Sequence, residues 1–201
     1  MSEILAGAVS PEVESEFPGI GVRFCFVAGG PSKTPAGLSQ ELDLAADRIT
    51  GAQAVRVAAE PVAALYRALR AQLGMDPSVG EGTAEDVIRR RLLEGGFRPS
   101  GIPADAITLA TLETGIPIWA FGVPKAPSGP RISLWSDPST GVVELRSDDL
   151  RMATLFGEPH PEFEVTRKSE QMCLVALVAP GVVPEIVELA LERAVALCVT
   201  S

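Results

Sequence analysis

ADAITLATLETGIPIWAFG, residues 104–122, predicts a short helix followed directly by a strand. The helix covers residues 104–114 and the strand covers residues 116–122. Glu113 and Gly115 fit the turn between the two elements, since a glycine commonly ends a helix. A helix that leads directly into a strand indicates a fold that contains both α-helices and β-strands.

The same alternation of helices and strands continues on both sides of this unit. Strands are predicted in GIGVRFCFVAGG (19–30), RISLWS (131–136), GVVELRS (141–147), EFEVTRK (162–168) and MCLVALVA (172–179), and helices in residues 38–49, 61–73, 83–94 and 184–199. The turn DPSTG joins RISLWS to GVVELRS, so these two strands are predicted to form a hairpin. The predicted class is α/β, of the mixed α+β kind, with an irregular lead-in at residues 1–18 and one domain at residues 19–201.

The helix at residues 83–94 has clear end signals. Thr83 followed by Asp86 resembles a capping box, and Gly95 with Gly96 ends the helix. Four apolar residues of this helix are predicted to face inward: Val87, Ile88, Leu92 and Leu93.

Composition and charge limit the classes of function. Hydrophobic residues make up 46% and charged residues 21% of 201 residues, which is typical of one globular domain that folds by itself. The longest apolar run is interrupted by proline and glycine before the roughly 20 residues of a membrane span. Residues 1–17 have no basic start followed by an apolar stretch and do not resemble a secretory signal. We therefore expect a cytoplasmic protein without a membrane partner. A net charge of -9 argues against strong binding of RNA or DNA.

Metal and nucleophile chemistry have few candidate residues. The three cysteines, Cys25, Cys173 and Cys198, are widely spaced in apolar surroundings and are expected to be inert core thiols. A single histidine, His160, excludes zinc sites that need two, and no phosphate-binding loop or G-x-S-x-G elbow occurs. We expect no cofactor.

Two polar clusters could act at a site or could simply be solvated. Glu158 and Glu162 share the loop FGEPHPEF, where the two carboxylates could orient a water or bind an amine, or could be solvated. His160 lies between prolines in the same loop, which could present it at a site or leave it at the surface. Arg90 belongs to the run at residues 89–91, whose side chains point about 100° apart on a helix. They could pair with nearby glutamates or meet a phosphate or carboxylate.

Residues 104–122 also resemble a known sequence pattern, V-D-x-x-N-x-x-x-L-E-x-G-x-P-x-x-x-x-D. It belongs to the B3/4 module, the tRNA-editing module of the phenylalanyl-tRNA synthetase beta subunit. The residues in register are Asp105, Leu112, Glu113, Gly115 and Pro117.

The resemblance extends beyond this motif. Upstream, Tyr66, Arg67, Arg90, Arg91, Leu93, Gly95 and Gly96 follow the order of elements in free-standing family members. Downstream, ATLFGEPHPEF resembles the GIFGGEHSG loop of the bacterial subunit, with Gly157, Glu158 and His160 as counterparts.

The resemblance implies a mixed α/β editing module that removes a wrongly attached amino acid from tRNA. A free-standing copy would act in trans as a metal-independent aminoacyl-tRNA deacylase, or would bind the amino acid and the terminal adenosine. Its implied site residues are Glu158 and His160 for catalysis and Asp105, Thr108, Glu113, Trp119 and Arg90 for substrate binding.

The chain departs from the family pattern at three positions. Thr108 replaces the motif asparagine, Gly122 replaces the closing aspartate, and Trp119 stands where the bacterial subunit often has histidine. Trp119 could pack in the core or form an aromatic wall, and Asp105 could cap its helix or contact substrate. The departures predict an altered pocket and leave two functions open, a trans-acting hydrolase and a non-catalytic binding module for an amino acid, a small metabolite, a tRNA end or a protein.

Overall fold

The structure, a computed structural model, describes residues 2–76, 82–124 and 130–199, except for the side chains of residues 53–55 and 58. Its elements in chain order are β1 (Leu5–Ala6), β2 (Ala8–Val9), α1 (Pro11–Glu16), β3 (Gly21–Ala28), α2 (Ala36–Arg48), α3 (Gly51–Ala58), α4 (Pro61–Gln72), α5 (Ala84–Glu94), α6 (Ala104–Thr114), β4 (Ile118–Val123), β5 (Ile132–Ser136), β6 (Val143–Ser147), β7 (Leu150–Thr154), the 3-10 helix η1 (Pro161–Phe163), β8 (Gln171–Val178) and α7 (Pro184–Val199). The predicted mixed α+β class is confirmed.

The first sheet, with strand order β1-β3-β8-β4, is antiparallel throughout. Its central strand β8 pairs with β3 and with β4 along its length, for example through Val175 opposite both Phe24 and Trp119. All of β8 except Gln171 is buried. A strand covered on both faces reads as a continuous apolar run, which explains MCLVALVA.

The second sheet has the order β2-β5-β6-β7, and it packs against the first through contacts of β5 and β2 with β3. The predicted hairpin of β5 and β6 is confirmed, with Leu134 opposite Leu145. The outward face of this sheet carries Trp135, and its ring lies 5.3 Å from the guanidinium of Arg146. The inward residues of the hairpin complete the core between the sheets.

Helices cover the first sheet on its other face. α7 packs against β8 and β3, and α6 packs against α7 and β4. α4 is tied to β8 by the Tyr66 hydroxyl, which donates to the Leu177 carbonyl at 2.6 Å. No helix in the described residues is long and apolar enough to cross a membrane.

The end signals of the central helices act as predicted. Thr83 caps α5 by accepting a hydrogen bond from the backbone nitrogen of Asp86 at 3.3 Å. Gly95 and Gly115 end α5 and α6 with φ of 77° and 75°, a left-handed conformation that favours glycine. The predicted bounds of α6 are therefore reproduced.

The expectation of an irregular lead-in at residues 1–18 is wrong. β1 pairs with β3, β2 pairs in parallel with β5, and Ser10 caps α1 by accepting from Val13 N at 3.4 Å. Val13 and Phe17 are buried. Glu12, Glu14 and Glu16 are exposed, so α1 presents its charged side to solvent and its apolar side to the core.

Two further expectations are also wrong. Leu92 and Leu93 are exposed, because the buried residues of α5 are confined to its first half. EFEVTRK does not form a strand: Phe163 is buried as alternation requires, but the backbone forms η1 and then a turn closed by Ser169 N donating to Thr166 O. The turn expected at residues 124–130 lies mostly outside the described residues.

Candidate functional site

Trp119 lies at one end of the space between the two sheets. It projects from β4 toward the second sheet, where its ring packs edge-on against Phe156 with 5.6 Å between ring centroids. Phe121, Val175 and Leu177 line the same space from the first sheet. The remaining volume is about 10 Å³, so the side chains fill this end of the core almost completely.

Phe156 holds an unusual backbone conformation. Its φ is 59°, in the left-handed region that bulky side chains rarely adopt. β7 ends two residues earlier, and Gly157 N donates to Thr154 O at 2.9 Å to close the turn. The conformation persists because the ring is buried between Trp119 and Arg70.

Arg70 forms the third side of this corner. Its side chain is 1% exposed, and the guanidinium carbon lies 6.0 Å from the centroid of the Phe156 ring. Glu85 on α5 lies 3.6 Å from Arg70 Nη2 and also pairs with Arg67. Burial lowers the pKa of Arg70, and the Glu85 carboxylate opposes that shift. We call Arg70, Trp119 and Phe156 the aromatic corner.

The strained turn gives a direct stability prediction. Phe156→Ala and Phe156→Gly both lose the ring, but only glycine adopts a positive φ without strain, so the glycine variant should be more stable by about 1 kcal/mol. Urea unfolding of both variants measures the difference. The matched control is Phe121 on β4, where alanine should be more stable than glycine. The same order at both positions would contradict strain at Phe156.

Glu158 and His160 follow Phe156 in the chain but do not form an ordered catalytic pair. Glu158 is exposed. His160 Nδ1 accepts a hydrogen bond from Glu162 N at 3.5 Å and thereby caps η1, and His160 N donates to Met152 O at 2.7 Å. The structure therefore places the predicted catalytic loop beside the aromatic corner, with its two polar side chains turned to solvent and to its own turn.

Asp105 is part of a different cluster. Its buried carboxylate accepts hydrogen bonds from Ser100 N at 3.0 Å, from Gly101 N at 2.9 Å and from the Thr34 hydroxyl. These bonds join the loop after β3 to the loop before α6, which also pair through Ser32 and Ile102. Asp105 thus holds two loops together. The cap of its own helix that was considered from the sequence is a more local role.

The other predicted substrate-binding residues lie elsewhere. Arg90 is 56% exposed and pairs with Asp86 at 3.1 Å rather than with a glutamate. Glu113 binds Arg193 on α7 through both carboxylate oxygens, at 2.7 and 3.1 Å. Thr108 is half-buried on α6. Of the predicted residues, the structure brings only Trp119 and the loop of Glu158 and His160 to one place.

Gly122 explains one departure from the family pattern. A Cβ atom at this position would lie 2.6 Å from Ser169 Oγ and 2.7 Å from the backbone oxygen of Glu164. Real Cβ atoms essentially never come so close to backbone. The segment that follows η1 packs directly on β4 and leaves no room for the motif aspartate.

The thiols fit the inert interpretation. Cys25, Cys173 and Cys198 are free, and the first two are fully buried. Burial raises the pKa of Cys25 and of Cys198 to about 12 and raises the pKa of Cys173 well above its ordinary value. Neutral thiols are poor nucleophiles, so these residues contribute to packing.

Sequence reasoning missed Arg70 and Phe156. Arg70 follows the apolar stripe of α4 as an ordinary polar position, and no local signal distinguishes a buried arginine from an exposed one. Phe156 precedes Gly157, and a glycine indicates a turn. It does not indicate that the phenylalanine itself adopts a positive φ.

The chain was compared with family models, with curated proteins and with solved structures, and none of the three comparisons finds a match. The residues themselves therefore carry the functional argument.

Proposed function

We propose that the chain binds the aminoacyl end of a tRNA in the manner of B3/4 editing modules, with the aromatic corner as its pocket. The observation that carries the proposal is the meeting of Trp119, Phe156 and Arg70 beside the loop of Glu158 and His160. Trp119 occupies a motif position of the resemblance, and this loop is the second segment that the resemblance selects.

The three side chains of the corner suit the two parts of such a ligand. Trp119 and Phe156 offer aromatic faces and edges on which an adenine or an aromatic side chain packs. Arg70 offers a guanidinium that hydrogen-bonds an ester carbonyl or a phosphate. A low-dielectric surrounding strengthens both contacts.

Binding requires the corner to open, since the present space of about 10 Å³ holds no ligand. Phe156 is the side chain that moves, because its left-handed backbone stores about 1–2 kcal/mol, which offsets part of the cost of exposing its ring. Moving Phe156 also moves Glu158 and His160, which follow it by two and four residues. In the hydrolytic version of the proposal, this movement brings a carboxylate to the ester to orient the attacking water.

A non-catalytic binding module is the second candidate function. It is favoured by the exposed Glu158 and by the engagement of His160 Nδ1 with the backbone of its own turn. It also fits the net charge of -9, which leaves little attraction for the rest of a tRNA.

One experiment separates the two candidates. Hydrolysis of a panel of mischarged aminoacyl-tRNAs is measured beside the melting temperature in the presence of non-hydrolysable 3′-aminoacylamino-adenosines. Turnover that falls at least tenfold in Glu158→Ala and Trp119→Ala supports the hydrolase. A ligand-induced rise in melting temperature that Trp119→Ala removes, without turnover, supports the binding module.

The control variant is Trp135→Ala, which removes the exposed tryptophan of the second sheet. It should leave turnover and ligand-induced stabilisation unchanged. Neither turnover nor stabilisation with any member of the panel, or equal losses in Trp119→Ala and Trp135→Ala, would refute the aromatic corner as the site.

A further inference from the structure

A second cavity lies among α2, α3, α5 and α6, on the helical side of the molecule. Its volume is about 310 Å³, at the lower end of the range for small-molecule pockets. Its walls combine charged residues with the apolar side chains of Leu44, Ile49, Ile88, Leu109 and Leu112. We call it the helical groove.

One end of the groove carries carboxylates that are already engaged. Glu41 on α2 lies 2.6 Å from Arg193 Nη2, and Glu113 on α6 binds the same guanidinium through both oxygens. These bonds to the two glutamates raise the pKa of Arg193. A ligand amine would have to displace this guanidinium before it could pair with either carboxylate.

The other end of the groove carries Arg48. It lies seven residues after Glu41 on α2, roughly 10 Å along the helix axis. Arg48 is exposed and forms no ion pair with any residue in the described part of the chain. The charge available to a ligand in the groove is therefore positive and stands at one end of an apolar surface.

From this arrangement we infer that the helical groove binds a small apolar carboxylate. The alkyl or aryl body lies along Ile49, Ile88 and Leu109, and the carboxylate pairs with the Arg48 guanidinium, whose planar donors match two carboxylate oxygens. The site is separate from the aromatic corner, and the inference does not depend on the proposed function.

Calorimetric titration with three eight-carbon probes tests the head group. Octanoate, octanol and octylamine share the apolar body, so their differences report the charge preference of the groove. Octanoate is expected to bind at least tenfold more tightly than octanol, and octylamine more weakly than octanol. No octanoate binding at millimolar concentration, or tighter binding of octylamine, would overturn the inference.

Variants of exposed residues locate the site without risk to the fold. Arg48→Leu should lower octanoate affinity to that of octanol. Leu44→Glu places a carboxylate four residues before Arg48 on the same helix, where it should compete with octanoate and reduce its affinity at least tenfold. Arg131→Leu, which removes an arginine that is 89% exposed just before β5, is the matched control and should leave octanoate affinity unchanged. Equal affinities in Arg48→Leu and the unmodified protein would remove the assignment to this groove.

Discussion

Asp105→Ala is expected to lower the free energy of unfolding by about 3–5 kcal/mol. The substitution leaves the Ser100 N–H without its acceptor and the Gly101 N–H with Thr34 Oγ1 alone, and each donor that loses its partner costs about 1–3 kcal/mol. The Thr34 hydroxyl loses its partner as well, so the two loops that meet at Ser32 and Ile102 are no longer clamped. Urea unfolding monitored by circular dichroism measures the loss.

Asp105→Asn is the control, because its amide oxygen still accepts from one or two of these donors while the charge is removed. We expect it to recover about half of the loss. If Asp105→Ala unfolds at nearly the same urea concentration as the unmodified protein, the clamp is not a stabilising feature. A full loss of ligand binding in a stable Asp105→Asn protein would instead return Asp105 to the substrate-binding role that the resemblance implies.

Gly122→Asp, which restores the aspartate of the family motif, is expected to destabilise the protein by more than about 3 kcal/mol. The new Cβ would overlap the backbone of Glu164, which cannot move without disturbing η1 and the turn that follows it. Overpacking of this kind costs about 1–3 kcal/mol, and a buried carboxylate without a hydrogen-bond partner adds to it. The melting temperature should fall by more than 5 °C, on the order of the shift that such a loss produces.

Two variants test whether the lack of space for a side chain at position 122 causes the loss of stability. Gly122→Ala adds only the Cβ and should cost about 1–3 kcal/mol. Gly37→Asp adds the same carboxylate in the first turn of α2, where an added Cβ would meet nothing within 4 Å, and it should have little effect. A stable Gly122→Asp protein would show that the segment around Glu164 yields easily, and that the departure from the motif has another origin.

Local signals account for the elements that the sequence predicted well. α6 is rich in apolar residues and ends at Gly115, and β8 is a continuous apolar run, so each is recognisable without its neighbours. The short pieces at the start of the chain have no such signals. β1 and β2 are two residues each and exist only because β3 and β5 lie beside them, which no local pattern can indicate.

The candidate site was predictable only in part for a similar reason. Trp119 could be named from the sequence because it lies in residues 104–122, which resemble the B3/4 pattern. Glu158 and His160 could be named because they lie in the second segment that resembles the family. Arg70 becomes a site residue only through its contact with Phe156, far away in the chain. Asp105 and Glu113 have the residue types of a binding site, but the structure engages both with other parts of the protein.

The position of β8 has a consequence for how the protein is made. β8 is an interior strand of the first sheet, yet 142 residues separate it from its partner β3. During synthesis β3 and β4 keep unpaired edges until residues 171–178 leave the ribosome, since neither strand pairs with the other. Such distant pairing slows folding and exposes apolar strands in the meantime. The nascent chain is therefore most vulnerable to aggregation just before its last strand is complete.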